Sequence, residues 1–276
     1  MERIDAHQHF WHYDSIRDSW ITEEMRAIAR DFLPTNVLPS MQAAGISGCV
    51  AVQADQSQAE TDFLLVLAEK YDAIKGVVGW IDLLDLNIEA HLEKYSSSPK
   101  LKGFRHILQA EDIAIVQEKR FREGIKALGK YGYTYDILVH RHQIASIAAW
   151  VGDFEEQRFV LDHLGKPNIN GKERAPWKED VSKLAAHEQV YCKLSGLFAE
   201  DINWKGWRAD DFSFYIEHVL EAFGPGRVIF GTDWPVCTLA ASYEQVADLI
   251  EGFLSSLSMD EQAQIWALNA KDFYGL

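Results

Sequence analysis

The sequence has 276 residues, 47% of them hydrophobic, which is enough to bury one large core in a single domain spanning residues 1–276. A formal net charge of −15 and a pI near 5.1 argue against nucleic-acid binding, because affinity for phosphate backbones comes chiefly from Lys and Arg. The first residues, MERIDAHQHF, contain no apolar run of the length typical of a signal peptide, and no stretch approaches the roughly 18 apolar residues that span a bilayer, so we expect a cytoplasmic protein without membrane contacts.

Short apolar runs rich in β-branched residues alternate along the chain with longer amphipathic segments, as in βα units around a parallel sheet. Eight strands are predicted, near Arg3–His7, Gly48–Gln53, Lys75–Ile81, Leu101–His106, Tyr133–Leu138, Arg158–Leu161, Val190–Leu194 and Val228–Phe230. No repeat, low-complexity tract or linker divides the chain. Eight strands with crossover helices favour a closed (β/α)₈ TIM barrel over an open sheet.

Two of the predicted helices carry signals that mark where they begin or end. The segment DFSFYIEHVLEAFG ends at Gly224, a C-cap residue that stands before Pro225. In the last segment of the chain, Ser258 and Glu261 form a capping box that satisfies exposed amides at a helix start. We therefore predict that a helix closes the chain.

The first strand ends in a pair of histidines. In a barrel, polar residues just past the carboxyl end of each strand converge on one mouth. Alternation along the strand points His7 and His9 to the same side, about 6–7 Å apart, which suits two ligands of one metal ion. A lone histidine is usually a satisfied core residue, but two at positions i and i+2 favour a functional site.

Strands four and six also end in side chains that suit chemistry. Arg105 and His106 end strand four, and either could bind a carbonyl oxygen or a hydroxyl group. Arg105 is equally suited to an ion pair with a carboxylate on a neighbouring strand. His163 stands between strand six and a Gly-Lys-Pro turn, where it can donate to a substrate or bind a metal, with Asp162 as its orienting partner.

The last two strands each contribute one charged residue. Lys193 in strand seven would be expensive to bury unpaired, so it must meet a carboxylate, a substrate or water, and we retain it as a substrate-binding candidate. Asp233 ends the Gly-Thr-Asp turn after strand eight. A carboxylate there can act as a metal ligand, a general base or both.

Tryptophans follow several of the predicted strands. Trp11, Trp80 and Trp234 follow or close strands one, three and eight, and others, including Trp204, lie in long loops. Indole faces cover the C–H faces of sugar rings, so tryptophans that line the mouth favour a neutral carbohydrate substrate. About half of them are expected instead to pack loops onto the barrel.

Taken together, the His-x-His motif after strand one and the segments FVLDHLGKP and FGPGRVIFGTDWPVC resemble the amidohydrolase superfamily, and more narrowly its lactonase-rich amidohydrolase 2 branch. The similarity continues through VQADQSQAETDFLLVLAE, GFRHILQ, VYCKLSG and FYGL in collinear order, so it covers essentially the whole chain. It is greatest to sugar-lactone hydrolases of the L-fucono-1,5-lactonase and L-rhamnono-lactonase type.

The resemblance implies a hydrolase that opens a sugar aldonolactone to the aldonic acid. It places His7, His9 and Asp233 at the metal-site positions and makes Asp233 the catalytic base that activates water. It also implies that His106 and His163, together with Arg105, lie in the substrate pocket. There they would stabilise the charge that develops on the carbonyl oxygen.

One departure from the superfamily limits what the resemblance implies about metals. Members with two metals use a carboxylated lysine on strand four and a histidine on strand five. Here strand four offers Arg105, while His140 and His142 lie beyond strand five at the start of a helix, where an exposed or capping role is expected. The resemblance therefore implies at most one divalent ion, by preference Zn²⁺, and the branch includes lactonases that need no metal.

Two other functions are compatible with these residues. A decarboxylase or a dicarboxylate pyrone lactonase of the same branch would need stronger cationic recognition than Arg105 provides. A non-catalytic sugar-acid binding protein would have no reason to retain Asp233 together with His7 and His9. The identity of the sugar, the need for the metal and the formation of a homo-oligomer are left open by the sequence.

Overall fold

The computed structural model describes residues 1–199 and 202–276 and contains an eight-stranded parallel sheet in which neighbouring strands follow chain order. The strands are β1 (Ile4–Gln8), β2 (Gly48–Val52), β3 (Ile74–Gly79), β4 (Leu101–His106), β5 (Thr134–Ile137), β6 (Phe159–Leu161), β7 (Val190–Leu194) and β8 (Val228–Phe230). All eight predicted strands are confirmed, and their ends differ from the prediction by at most two residues. The predicted (β/α)₈ barrel is therefore the fold of this chain.

Helices connect the strands and complete the βα units. They are α1 (Pro34–Ala43), α2 (Gln58–Lys70), α3 (Ile88–Tyr95), α4 (Lys119–Lys130), α5 (Ile144–Val151), α6 (Trp177–Ala185), α7 (Ala209–Phe223), α8 (Tyr243–Leu254), α9 (Met259–Ala263) and α10 (Asn269–Tyr274). Both predicted helix signals are confirmed, because Gly224 ends α7 with a φ of 69° and the side chain of Ser258 accepts from the amide of Glu261. Within residues 1–199 and 202–276, none of the helices is long and apolar enough to cross a membrane.

The first and last strands meet at the mouth of the barrel. The amide of Asp233 donates to the carbonyl oxygen of His7 at 2.9 Å, and the amide of His9 donates to that of Trp234 at 2.7 Å. These two bonds place the histidines of β1 directly beside the carboxylate that follows β8. The closure of the barrel thus assembles residues that lie more than two hundred positions apart in the sequence.

Apolar side chains fill one end of the barrel interior and leave the other end to polar ones. Because side chains alternate along a strand, Val50 and Val52 of β2 point inward while Cys49 and Ala51 pack against the helices. The inner apolar cluster consists of Ile4, Ala6, Val50, Val52, Val78, Val160 and Ile229, covered by Ala267, Ala270, Phe273 and Tyr274 of the closing segment. The closing helix α10 therefore plugs the barrel at the end opposite the mouth.

Candidate active site

His7, His9 and Asp233 form a compact buried cluster at the mouth. The ring centroids of the two histidines are 4.9 Å apart. One oxygen of Asp233, Oδ1, lies 3.2 Å from Nε2 of His9 and 3.8 Å from Nε2 of His7. One ligand atom from each of the three residues lies within 4.8 Å of the others, a donor set that suits a divalent ion such as Zn²⁺.

The protonation of His9 follows from its hydrogen bonds. Its Nδ1 lies 2.7 Å from the carbonyl oxygen of Val52, and because a carbonyl oxygen can only accept, the proton of a neutral ring must be on Nδ1. Nε2 then carries a lone pair that faces Asp233. Two acceptors at 3.2 Å need a cation between them, either a second proton on His9 or a metal ion.

Asp233 is held in the ionised form. It is buried, with a φ of 62° that few non-glycine residues adopt and that is often found at functional sites. Although burial raises its pKa, the electrostatic interactions with the imidazoles of His163 and His9 outweigh burial, so the pKa of Asp233 falls below its usual value. A carboxylate that is charged at neutral pH and faces a cavity can accept a proton from water.

His163 reaches the same cluster from an unusual turn after β6. Three of its residues, His163, Leu164 and Lys166, have φ values between 53° and 56°, in the left-handed region. The His163 ring centroid lies 4.5 Å from that of His7, and its Nδ1 is 2.9 Å from Oγ of Ser195. Burial lowers the pKa of His163 to about 4, so the ring is neutral near neutral pH.

The buried carboxylate of Asp5 ties the histidine strand to the turn after β8. Its Oδ1 accepts from the amides of His7 and Thr232 at 3.1 and 2.9 Å. Its Oδ2 accepts from Gln8 Nε2, the Thr232 hydroxyl and the Tyr243 hydroxyl at 2.8, 2.5 and 3.0 Å. Sequence reasoning missed this residue, although its place two positions before His7 on the same strand was a usable signal.

Arg105 lies beneath the cluster and is engaged with protein groups. Its Nη1 donates to Asp162 Oδ2 at 3.1 Å and lies 3.2 Å from Nε2 of His7, while its Nη2 donates to the carbonyl oxygen of Gln53. Arg105 also lines the cavity. Of the two interpretations left open by the sequence, an ion pair is present in the structure, but its carboxylate follows β6 rather than a strand adjacent to β4.

Lys193 is fully buried below the cavity rather than on its surface. Its Nζ donates to Asp136 Oδ2 at 2.6 Å and lies 3.1 Å from both Asp162 Oδ1 and His7 Nδ1. The hydroxyl of Tyr274 donates to the same Asp136 oxygen at 2.8 Å. The structure therefore does not bring Lys193 to the substrate cavity. Of the three partners that the sequence allowed, a carboxylate, a substrate or water, Lys193 meets carboxylates.

His106 points away from the mouth. Because neighbouring side chains on a strand face opposite ways, an inward Arg105 requires His106 to point outward. Its ring packs edge-on against Phe121 of α4, with centroids 5.8 Å apart, and its Nε2 lies 3.7 Å from Glu111. The structure thus separates His106 from the residues with which it was grouped by the sequence analysis.

The tryptophans that reach the cavity are not those predicted from strand ends. Trp11 is buried and donates from Nε1 to a backbone carbonyl, Trp234 packs against phenylalanines, and the Trp80 backbone is held by a threonine hydroxyl. None of these three lines the cavity, whereas Trp20 and Trp204 do. Trp204 belongs to the long-loop set noted in the sequence, but Trp20 carried no signal because it lies far past the end of β1.

A cavity of about 1050 Å³ opens above the cluster. Its floor contains His9, Arg105, His163 and Asp233. Amides and indoles contribute to its walls, including Trp20, Gln56, Gln109, Asn170, Asn203 and Trp204. Amide groups that exchange hydrogen bonds with hydroxyls, together with flat aromatic surfaces, suit a polyhydroxylated ring.

His140 and His142 stay outside the site, as expected from their place beyond strand five. His140 precedes the short 3₁₀ helix Arg141–Gln143, where its amide donates to the side chain of Gln143 at 2.8 Å. Its ring stacks on the exposed His142, with centroids 5.8 Å apart. The capping and exposed roles predicted for these residues are confirmed.

Comparison with known proteins identifies close relatives over the whole chain. The sequence profile described as amidohydrolase matches residues 4–276. A protein from Burkholderia multivorans named L-fucono-1,5-lactonase is 40% identical over 99% of this chain and 96% of its own length, and one of the same name from Burkholderia ambifaria is 33% identical over 99% and 95%. The crystal structure of an amidohydrolase from Burkholderia multivorans with bound zinc has a TM-score of 0.96 and 39% identity, covering 100% of both chains.

Proposed function

Because this chain belongs to the amidohydrolase family, we propose that it hydrolyses sugar aldonolactones, such as L-fucono-, L-galactono- or L-rhamnono-lactone, to the aldonic acids. The observation that carries the proposal is the ionised, buried Asp233, which faces a cavity beside three imidazoles. The two lactonase relatives, similar over nearly the full chain, support the same reaction.

The residues around the cavity divide the reaction between them. Hydrolysis of a lactone adds water to the carbonyl carbon and breaks the bond to the ring oxygen. Asp233 takes a proton from the attacking water and returns it to the ring oxygen as the C–O bond breaks. His163, whose ring lines the cavity floor, stabilises the charge that develops on the carbonyl oxygen. Arg105 adds positive charge at the floor while it remains paired with Asp162.

We also propose that His7, His9 and Asp233 hold one divalent ion, Zn²⁺. The facing acceptors of His9 and Asp233 fit such an ion, and a bound ion would lower the pKa of a water molecule towards about 7. Nη1 of Arg105 lies 3.2 Å from the His7 nitrogen that would bind the ion, so the guanidinium competes for that lone pair. This competition is a physical reason to expect modest metal affinity.

A neutral substrate fits the cavity better than a dicarboxylate or the benzoate-like substrate of a decarboxylase. Arg105, Lys166 and Lys205 line the cavity, but Arg105 is paired with Asp162, and the carboxylates of Glu24 and Asp233 line the same space. Recognition of two carboxylates normally uses several bidentate arginine contacts. The indoles and amides of the walls instead suit the hydroxyl and C–H groups of a sugar.

The proposal is tested by following proton release with a pH indicator across a panel of L-fucono-, L-galactono-, L-rhamnono- and D-arabinono-lactones, with a pyrone dicarboxylate alongside. We expect efficient hydrolysis of at least one sugar lactone and none of the dicarboxylate. Hydrolysis of the dicarboxylate alone, with every sugar lactone inert, would overturn the substrate assignment. Release of carbon dioxide from a hydroxybenzoate would instead identify a decarboxylase.

A further inference from the structure

The partner of His163 on β7 sets the chemical form of its ring. Ser195 comes directly after β7, two residues beyond Lys193, and is 2% exposed. Its hydroxyl oxygen lies 2.9 Å from Nδ1 of His163. The His163 side chain, which carries the other ring nitrogen Nε2, lines the cavity.

The direction of this hydrogen bond follows from counting donors and acceptors. A neutral imidazole carries one N–H, and a serine hydroxyl can donate as well as accept. Among the residues that the structure describes, Nδ1 of His163 is the acceptor available to the Ser195 hydroxyl. A buried hydroxyl proton without an acceptor costs about 1–3 kcal/mol, so Ser195 donates and the ring proton lies on Nε2.

We propose that Ser195 is a positioning residue that holds His163 as the Nε2–H tautomer, so that this nitrogen donates a hydrogen bond to the carbonyl oxygen of the lactone. The role assigned to the N–H rests on the proposed function. The tautomer itself does not, because it follows from the protein's own hydrogen bond.

The backbone beside Ser195 fixes the position of the same ring. Gly196 has a φ of 63°, and a Cβ atom placed on it would lie 2.4 Å from Cγ and Nδ1 of His163. Only glycine therefore allows the ring to pack so closely against β7. Gly196 sets where the imidazole lies, and Ser195 sets which of its nitrogens carries the proton.

The tautomer also favours one of two geometrically allowed metal sites. The groups that could hold an ion are His7, Asp162 and His163 in one case and His7, His9 and Asp233 in the other. A nitrogen that carries a proton cannot bind a metal, so His163 is not available through Nε2. Asp162 is moreover already paired with two cations. The Ser195 hydrogen bond thus favours the second group as the site of the ion.

The tautomer can be observed directly by NMR of protein labelled with ¹⁵N in its histidines, at neutral pH and without substrate. The His163 resonances are those that disappear in His163→Ala. We expect a protonated Nε2 and an unprotonated Nδ1 in the wild type, and a mixture of tautomers in Ser195→Ala. A wild-type ring protonated on Nδ1 would overturn the proposal, whether or not the protein hydrolyses lactones.

Kinetics provide the second test. Ser195→Ala should lower kcat about tenfold and leave KM within about twofold, since removing a whole oxyanion donor lowers kcat about 10²–10³-fold. In a His163→Ala background the same change should have no further effect, because Ser195 acts through His163. If Ser195→Ala lowers kcat as much in the His163→Ala background as in the wild type, the role of Ser195 is merely structural and the proposal is wrong.

The chain offers a matched control for this substitution. Ser182 makes a similar contact with His218, at 3.1 Å, between α6 and α7 and away from the cavity lining. Ser182→Ala should leave both kcat and KM unchanged. If the wild type hydrolyses no lactone, the proposed function fails, while the NMR experiment still decides the tautomer.

Discussion

Two groups of buried ionisable side chains share His7 as a neighbour but differ in how their polar atoms are satisfied. In the deeper group, Lys193 donates to Asp136 and lies within 3.1 Å of Asp162, so opposite charges are paired inside the protein. In the group at the mouth, Nε2 of His9 lies 3.2 Å from Oδ1 of Asp233, and both atoms are acceptors when the His9 ring is neutral. The carboxylates of the deeper group are thus ion-paired with lysine and arginine, whereas Asp233 at the mouth is paired with imidazoles.

We expect this difference to separate residues that stabilise the fold from residues that we propose perform the chemistry. Removing one member of a paired buried group leaves its partner charged and unsatisfied, which costs folding free energy. At the mouth the carboxylate faces imidazoles rather than a lysine or arginine, so removing a member is expected to cost mainly activity. Both groups are buried, so the pairing of a carboxylate with a lysine or arginine is the property that we expect to predict the effect of a substitution.

The largest expected effect is the loss of turnover in Asp233→Asn. The amide nearly preserves the shape of the side chain but cannot accept a proton from water, so kcat should fall about 10²–10⁴-fold. The melting temperature should be unchanged or higher. His106→Gln is the matched control, because His106 packs against Phe121 and should tolerate the change with near wild-type kcat. Near-normal turnover by a folded Asp233→Asn protein would show that another group is the base.

Lys193→Met should have the opposite profile, with its main effect on stability. It leaves Asp136 and Asp162 without their shared cation, and breaking such a pair costs about 3–5 kcal/mol of unfolding free energy. Tyr274→Phe removes one hydrogen bond from Asp136 and should cost about 0.5–1.5 kcal/mol. Urea denaturation measures both. A stable Lys193→Met protein with strongly raised KM would return Lys193 to the substrate pocket.

The metal content also tests the difference between the two groups. A second ion would need Asp162, and Arg105 and Lys193 are already paired with that carboxylate. Purified protein should hold no more than one equivalent of divalent ion, measured by elemental analysis. His9→Ala should reduce the occupancy, whereas His140→Ala should not. Two bound ions would contradict the pairing of Asp162 with Arg105 and Lys193.

The sequence was sufficient for the barrel because several strands are short apolar runs, such as β2 and β8, and because they alternate regularly with helical segments. It also identified His7, His9, His163 and Asp233, which follow strands whose carboxyl ends must converge. These predictions depend only on the order of the strands and on the rule that side chains at the carboxyl ends of the strands meet at one mouth of the barrel.

The errors arose where the orientation or depth of a side chain mattered. Arg105 and His106 are adjacent on β4, and alternation already forbids both from facing the barrel axis, so the pair could have been reduced to one by the sequence alone. Lys193 does face inward, but its depth relative to Ser195 depends on how the barrel closes. Trp20 reaches the cavity through a long loop whose path no local pattern specifies.

The smallest expected effect concerns the pH dependence of activity. Lys166 lines the cavity near Asp233, and its charge lowers the pKa of that carboxyl, although burial, His163 and His9 act on it more strongly. Asp233 must be ionised to act as a base, so the acid limb of kcat/KM follows its pKa in the free enzyme. Lys166→Met removes a positive charge that favours the carboxylate, which raises the pKa and moves the acid limb to higher pH. Lys166→Arg keeps the charge and should leave the limb in place. A limb that stays fixed or moves to lower pH in Lys166→Met would mean that a group other than Asp233 controls the acid side of the profile.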